Sequence, residues 1–239
     1  MTAPHTEWTV LPHEGLTPLE DRTLTVTGTV KMPIGTFERR MTVVQLADGS
    51  LVIYSPIALA ESEMVRLEKF GTPAFLVIPG SHHRVDAKIW KDRYPAAMVI
   101  AAEGAREAVE EVVAVDSTAP DFGDPSVRFF TVPGTSKDES ALTVATNEGA
   151  TLILNDILAN VQNAKGLNGV IAHVFGFAGK KPQIPLPEKL SILDDKAALA
   201  AQFRAWADDP KLKRIVVSHG EIIEGDPAGV LREVAKTLE

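Results

Sequence analysis

Two histidines and one aspartate lie within residues 82–86, and their chemistry is that of metal ligands. His82, His83 and Asp86 belong to the sequence SHHRVDA at 81–87, directly after the apolar run 74–78. The chain contains no cysteine, so any metal site must be built from imidazole and carboxylate groups. A polar loop after a buried strand is where open α/β sheets place their sites. The segment therefore predicts a metal-binding loop from which some ligands are missing.

The whole chain has the composition of a globular protein. It has 239 residues, 45% of them hydrophobic, and a net charge of −8. Its Lys and Arg residues are dispersed, which argues against binding of nucleic acid or of an anionic membrane and favours a small-molecule or protein partner. The N-terminus lacks a basic, apolar leader and no apolar run approaches the length of a membrane helix. We expect a cytoplasmic protein and leave open whether it is a homo-oligomer.

Around the 81–87 segment the chain alternates between strands and helices. An Asp-Gly pair at 48–49 predicts a hairpin between strands at 41–46 and 51–55. Further strands are predicted at 24–30, 74–78 and 97–101, and helices at 60–70, 85–94 and 103–112. This order predicts a sheet that begins antiparallel and continues with parallel strands.

The second half of the chain opens with a predicted β-meander. Its strands are expected at 127–132, 140–146 and 151–154, followed by a helix at 157–163, an irregular region at 166–187, a helix at 195–208, a strand at 214–218 and a helix at 227–238. Residues 149–153 are similar to residues 49–53, which hints at two related halves. No polar linker divides the chain, so we predict a single domain at 1–239.

The order of elements and several motifs resemble the metallo-β-lactamase fold superfamily. The strand-loop motif of that superfamily is Thr-His-x-His-x-Asp-His, which the 81–87 segment matches at His82 and Asp86 but not at Arg84 and Ala87. A Pro-Gly-His-Thr turn of the superfamily resembles residues 133–136, where Thr135 takes the place of the ligand. The resemblance covers roughly residues 42–238 and implies an α/β fold, a four-layer αββα sandwich with two mixed sheets flanked by helices.

Two further ligand positions of the superfamily are present. Asp156 follows the apolar run 152–154, as the bridging aspartate of the superfamily does, and His219 ends an apolar strand before a glycine, as the last histidine does. The segments 48–51 and 90–95 also look like a poorly characterised branch with an altered zinc motif.

The resemblance implies that the three-histidine site is dismantled, because only His82 of it remains. Asp86, Asp156 and His219 are the surviving ligands of the second site. Two carboxylates and one imidazole suit a single Zn, Mn or Fe ion with open water positions.

The resemblance therefore implies a metal-dependent hydrolase of unknown substrate with at most one ion. Water would attack an ester, thioester, amide or phosphoester, while Asp156 orients the nucleophile and His83 stabilises the oxyanion or protonates the leaving group. A serine nucleophile is disfavoured, because neither Ser55 nor Ser140 lies in a Gly-x-Ser-x-Gly turn.

Arg84 supports an alternative. Its guanidinium could pair with Asp86 or Asp156 in place of a metal, because a permanent cation repels a divalent ion. The protein would then be a non-catalytic ligand-binding or scaffold protein that keeps the fold without tight metal binding. The sequence does not decide between enzyme and scaffold.

Overall fold

A computed structural model describes residues 3–32, 35–162 and 176–239 of the chain. By its internal contacts the chain divides into two compact units, residues 1–125 and residues 126–239. We describe each unit by itself, and the single domain stays a prediction. Part of the region expected to be irregular, 166–175, lies outside the described residues.

The first unit is built on one mixed sheet whose strands follow chain order. In its described residues the strands are β1 Thr17–Glu20, β2 Thr23–Met32, β3 Gly35–Gln45, β4 Ser50–Tyr54, β5 Thr72–Ile78 and β6 Met98–Ala101, and the helices are α1 Glu61–Phe70, α2 Ala87–Arg93 and α3 Arg106–Glu110. Strands β1 to β4 pair antiparallel, and β4, β5 and β6 pair parallel. Helices α1 and α2 lie in the crossovers that parallel pairing requires.

Local sequence explains the elements that hold the 81–87 segment. Strand β5 is a run of apolar residues that end fully buried at Val77 and Ile78, as expected for a parallel strand. Helix α2 buries Ile89 and Trp90 in the same core and stops before Pro95, which disfavours helical geometry in the residue that precedes it. The segment is thus fixed at both ends by buried apolar side chains.

The second unit also contains one mixed sheet. Its described strands are β7 Val127–Thr131, β8 Ser140–Thr146, β9 Gly149–Leu154 and β10 Leu212–Val217, and its described helices are α4 Leu186–Ser191, α5 Lys196–Ala207 and α6 Pro227–Lys236. Strands β7 to β9 form an antiparallel meander, and β10 pairs parallel with β9. Asp195 and Asp226 accept hydrogen bonds from the first turns of α5 and α6, which satisfies backbone donors there.

The two units share one local arrangement. In each, a hairpin (β3–β4 or β8–β9) is followed by a strand (β5 or β10) that pairs parallel with the hairpin's second strand. The residues that follow the second strand of the hairpin and the parallel strand therefore leave the sheet at the same edge.

The predicted α/β class with two mixed sheets is confirmed, with two local corrections. The expected helix at 157–163 is wrong in its described part, because residues 159, 160 and 161 form β-bridges to residues 183, 220 and 178. Three consecutive side chains, 157 to 159, are buried, which suits an extended segment better than one helix face. Strand β1 and helix α4 were not predicted. Within the described ranges, no helix is both long and apolar enough to span a membrane.

Gly220 provides a test of the bridge between residues 160 and 220. Its φ is +96°, and a Cβ atom there would lie 2.1 Å from the carbonyl oxygen of Asn160. We expect Gly220→Ala to cost about 2–4 kcal/mol of unfolding free energy, because it adds a clash to the strain of a left-handed residue. Urea unfolding measures the loss. The control is Gly225→Ala, which has a φ of +85° but open space around it and should cost only about 1 kcal/mol.

Candidate functional site

The 81–87 segment of the first unit folds into tight turns between β5 and α2. The backbone N–H of His83 donates to Gly80, and that of Ala87 donates to Arg84. His82 is exposed, whereas His83, Arg84 and Asp86 are buried. The segment is therefore a compact structural loop that presents one imidazole to solvent.

Asp86 is held by an ion pair rather than standing open to solvent. It is only 1% exposed, and its carboxylate accepts from the Arg39 guanidinium of β3, which is itself 3% exposed. Nδ1 of His5 lies 2.6 Å from the other carboxylate oxygen. Both oxygens of Asp86 thus have partners inside the first unit. A permanent cation satisfies this carboxylate in the way that a metal ion would.

The expected pair between Arg84 and Asp86 is not formed. The Arg84 guanidinium donates to the carbonyl oxygen of Ala108 and lies 2.7 Å from the Glu111 carboxylate. Arg84 therefore ties the loop to the region of α3, and the cation opposite Asp86 is Arg39. Sequence reasoning missed Arg39 because it precedes the predicted strand at 41–46 and sits in no motif.

His83 forms a buried pair with Ser55. The Ser55 hydroxyl and Nδ1 of His83 are 2.8 Å apart. Ser55 directly follows β4 and has a φ of +56°, an uncommon conformation for a non-glycine residue. Ser55 is also completely buried, whereas the serine of a nucleophile turn is exposed at the end of its strand. The pair therefore does not have the geometry of a serine hydrolase site.

The second unit brings Asp156 and His219 together. Asp156 lies two residues after β9 and His219 two residues after β10, so parallel pairing delivers both to one sheet edge. Oδ1 of Asp156 is 3.0 Å from Nε2 of His219. Two of the predicted metal ligands are therefore in direct contact.

The His219 ring is held in place by its neighbours. The edge of Phe177 packs against it, with ring centroids 5.3 Å apart and planes at 75°. The carbonyl oxygen of His219 accepts from the backbone N–H of Asn160. The aromatic contact restricts the ring and the hydrogen bond restricts the backbone of His219, which together favour a fixed geometry toward Asp156.

Glu139 is a buried carboxylate beneath this pair that sequence reasoning did not single out. It accepts from the side-chain amide of Asn155 at 2.9 Å and from the backbone N–H of Asp156 at 3.1 Å. Burial raises its pKa well above the usual range, and the negative charges of Asp156 and Glu188 raise it further. Both of its oxygens are used to position the Asp156 segment.

Glu188 of α4 is the second functional candidate that sequence reasoning missed. It is 4% exposed, and its carboxylate lies within 4.8 Å of that of Asp156. Its Oε2 atom has no hydrogen-bond partner among the described residues. Burial, followed by the charges of Asp156 and Asp138, raises the pKa of Glu188 to about 9. A single Glu in a short helix gives no sequence signal.

Thr135 replaces a histidine of the superfamily motif and has a local structural task. It is completely buried, and its hydroxyl donates to the carbonyl oxygen of Val132 at 2.7 Å. The hydroxyl therefore closes the turn after β7. The histidine of the superfamily motif therefore has no imidazole in its place at this position.

Comparison with solved structures identifies the fold. The metallo-β-lactamase DIM-1, in a crystal exposed to ceftazidime, aligns with a TM-score of 0.65 at 12% identity over 97% of this chain and 100% of that one. A metallo-β-lactamase from Erythrobacter litoralis aligns with a TM-score of 0.63 at 13% identity over 93% of this chain and 96% of that one. The mono-zinc form of FIM-1 from Pseudomonas aeruginosa aligns with a TM-score of 0.63 at 12% identity over 95% and 96%.

These likenesses confirm the predicted metallo-β-lactamase fold over nearly the whole chain. No protein-family profile matches the sequence, and no curated protein matches it. At 12–13% identity the structural likeness establishes the fold alone.

The buried pair of Arg39 and Asp86 can be tested by truncation of one partner. We expect Arg39→Met to cost about 3–5 kcal/mol, because it leaves a buried carboxylate without its permanent counter-charge. Urea unfolding is the measurement, and Lys88→Met, which breaks the exposed pair with Asp92, is the control and should cost less than about 1 kcal/mol. The double variant Arg39→Met/Asp86→Leu should recover most of the loss. Equal costs for Arg39→Met and Lys88→Met would contradict the assignment.

The raised pKa of Glu188 predicts a pH dependence of stability. Between its ordinary value of 4.5 and about 9 the folded protein holds a proton that the unfolded chain does not, so wild-type stability falls as pH rises through this window. Glu188→Gln removes this pH-dependent contribution to stability. In EDTA-treated protein, the stability of Glu188→Gln relative to wild type should therefore rise from pH 5 to pH 9, as followed by urea unfolding.

Glu139→Gln is the matched control for this experiment. At pH 5 it should cost about 1–3 kcal/mol, because an amide nitrogen cannot accept from Asn155 or from the Asp156 N–H. Glu188→Gln should cost little at that pH, since Oε2 of Glu188 has no partner among the described residues. A flat difference between wild type and Glu188→Gln across the pH range would contradict the assigned burial.

Proposed function

We propose that this protein is a metal-dependent hydrolase in which the centre of the metallo-β-lactamase fold is reduced to one divalent ion. The observation that supports it is the 3.0 Å contact between Oδ1 of Asp156 and Nε2 of His219, at an edge where the fold places metal ligands. The ion would be Zn, Mn or Fe, because the donors are carboxylate and imidazole. The substrate would be an ester, thioester, amide or phosphoester.

The residues of the second unit fit such an ion. Asp156 and His219 supply an oxygen and a nitrogen that are in contact with each other. When bound, the ion supplies Lewis-acid activation of water at neutral pH.

Asp156 and His83 would each carry out one of the proton transfers. Asp156 would orient the attacking water and accept its proton, and its backbone N–H is held by Glu139 for this task. His83 is the proposed donor to the leaving group or to the oxyanion. When the Ser55 hydroxyl donates to Nδ1 of His83, the ring hydrogen stays on Nε2, which is the tautomer that a donor requires.

Two other predicted ligands, His82 and Asp86, contribute less to this proposal. His82 is exposed and remains a proposed ligand. Asp86 would first have to leave Arg39 and His5, which costs free energy inside the first unit. The proposed ion therefore depends mainly on Asp156 and His219.

A second function is favoured by the Arg39–Asp86 pair. A buried guanidinium that neutralises a motif carboxylate lets that part of the fold persist without metal. The protein would then be a non-catalytic ligand-binding or scaffold protein. Metal content separates the two proposals.

We expect protein purified without chelators to contain about one Zn, Mn or Fe ion per chain by elemental analysis, in line with a single site. Asp156→Ala and His219→Ala should each remove most of it, because each deletes a ligand. Hydrolysis of p-nitrophenyl esters and bis-p-nitrophenyl phosphate should fall in parallel.

Glu233→Ala, which alters an exposed residue of α6, is the matched control and should leave metal content and hydrolysis unchanged. Metal-free wild-type protein that cannot be loaded with any of the three ions would favour the scaffold function.

A further inference from the structure

We infer that Asn155 is a positioning residue for the proposed ion, because it fixes the spacing between Asp156 and His219. It does so through a chain of buried side-chain hydrogen bonds that links it to Ser218 and to Glu139. This inference rests on the proposed function and extends it from the residues that would hold the ion to the groups that place those residues.

Parallel pairing brings Asn155 and Ser218 side by side at the sheet edge. The last residues of β9 and β10 are register partners, and the backbone N–H of Ser218 donates to the last carbonyl oxygen of β9 at 3.2 Å. Asn155 and Ser218 are therefore the next pair beyond the two strands, and Asp156 and His219 are the pair after that. A bond that holds the first pair together consequently sets the separation of the second.

The Asn155 side chain joins three neighbouring strands of the second unit. Its amide nitrogen donates to Oε1 of Glu139 at 2.9 Å, and its Oδ1 accepts from the Ser218 hydroxyl at 2.8 Å. Glu139 directly precedes β8, so the chain of bonds runs from β8 through β9 to β10. A protonated carboxyl group keeps acceptor capacity, so Glu139 can accept from the amide although burial raises its pKa.

Burial makes this chain of hydrogen bonds costly to break. Asn155 is completely buried and Ser218 is 3% exposed. A buried polar atom that loses its partner costs free energy, and bonds within a buried network strengthen one another. Truncation of either side chain is therefore expected to loosen Asp156 relative to His219.

Titration of metal-stripped protein with Co²⁺ and with Zn²⁺ tests the inference. The visible absorption of bound Co²⁺ reports the ligand geometry, and calorimetry with Zn²⁺ reports the affinity. Asn155→Ala should raise the dissociation constant about tenfold, the lower end of the loss for an outer-shell partner, and should change the Co²⁺ spectrum. Ser218→Ala should act in the same direction. The double variant should bind no more weakly than Asn155→Ala, because the first change already breaks the chain.

Thr146→Val is the matched control. It removes a side-chain hydrogen bond to the carbonyl oxygen of Gly149, at the opposite end of the β8–β9 hairpin. It should lower the melting temperature, as Ser218→Ala does, but leave the dissociation constants and the Co²⁺ spectrum at their wild-type values. Equal changes in the Co²⁺ spectrum of Thr146→Val and Ser218→Ala would show a general loss of stability and overturn the inference.

Further outcomes separate this inference from the proposed function. If wild type binds an ion, Asp156→Asn loses it and both truncations keep the wild-type spectrum and an affinity within about twofold, the inference is wrong while the single-ion centre stands. Multiplied effects in the double variant would also contradict it. If wild type binds neither ion, both fail. Ser218→Ala, which deletes only a hydroxyl, decides the test if Asn155→Ala does not fold.

Discussion

A carboxylate that leaves water must receive a counter-charge, hydrogen-bond donors or a proton, and this requirement governs the polar interior of both units. In the first unit the buried carboxylates receive a cation as their counter-charge. Asp86 pairs with Arg39 and His5, and Asp124 pairs with Arg22 and accepts from the backbone N–H of Ala47. These pairs connect strands to loops that lie far apart in sequence, so they also stabilise the fold of the first unit. The 81–87 segment can consequently keep its shape from protein contacts alone.

In the second unit the buried carboxylates have weaker partners than the cations of the first unit. Glu139 accepts from neutral donors, and Asp156 contacts a histidine. Burial then raises the pKa of Glu139 and of Glu188, because no cation among the described residues pairs with either carboxylate. Among these groups, Asp156 and His219 are in direct contact at one sheet edge, and they are the pair that the proposed divalent ion would use. The two units thus differ in how their buried carboxylates are compensated.

The sequence predicted the strands and most helices well, because buried parallel strands such as β5 and capped helices such as α6 are specified locally by apolar runs and by Asp-Pro starts. The resemblance placed Asp86, Asp156 and His219 in one ligand set, and of these the structure shows Asp156 in contact with His219. The sequence could not predict the pair of Arg39 with Asp86 or the burial of Glu188, because both depend on residues distant in sequence. The helix expected at 157–163 was wrong for the same reason, since tertiary bridges at 159–161 override local spacing.

Two of the three positions that lack a ligand of the motifs are occupied by residues with side-chain bonds of their own. Arg84 holds the carbonyl oxygen of Ala108 and the Glu111 carboxylate, and Thr135 closes the turn after β7. Such replacements stabilise the apo-protein, so metal binding need not contribute to folding, in contrast to structural zinc sites. Restoring one histidine would break one of these bonds without freeing Asp86 from Arg39. Affinity for an ion is therefore expected to follow Asp156 and His219, which contact each other in the second unit.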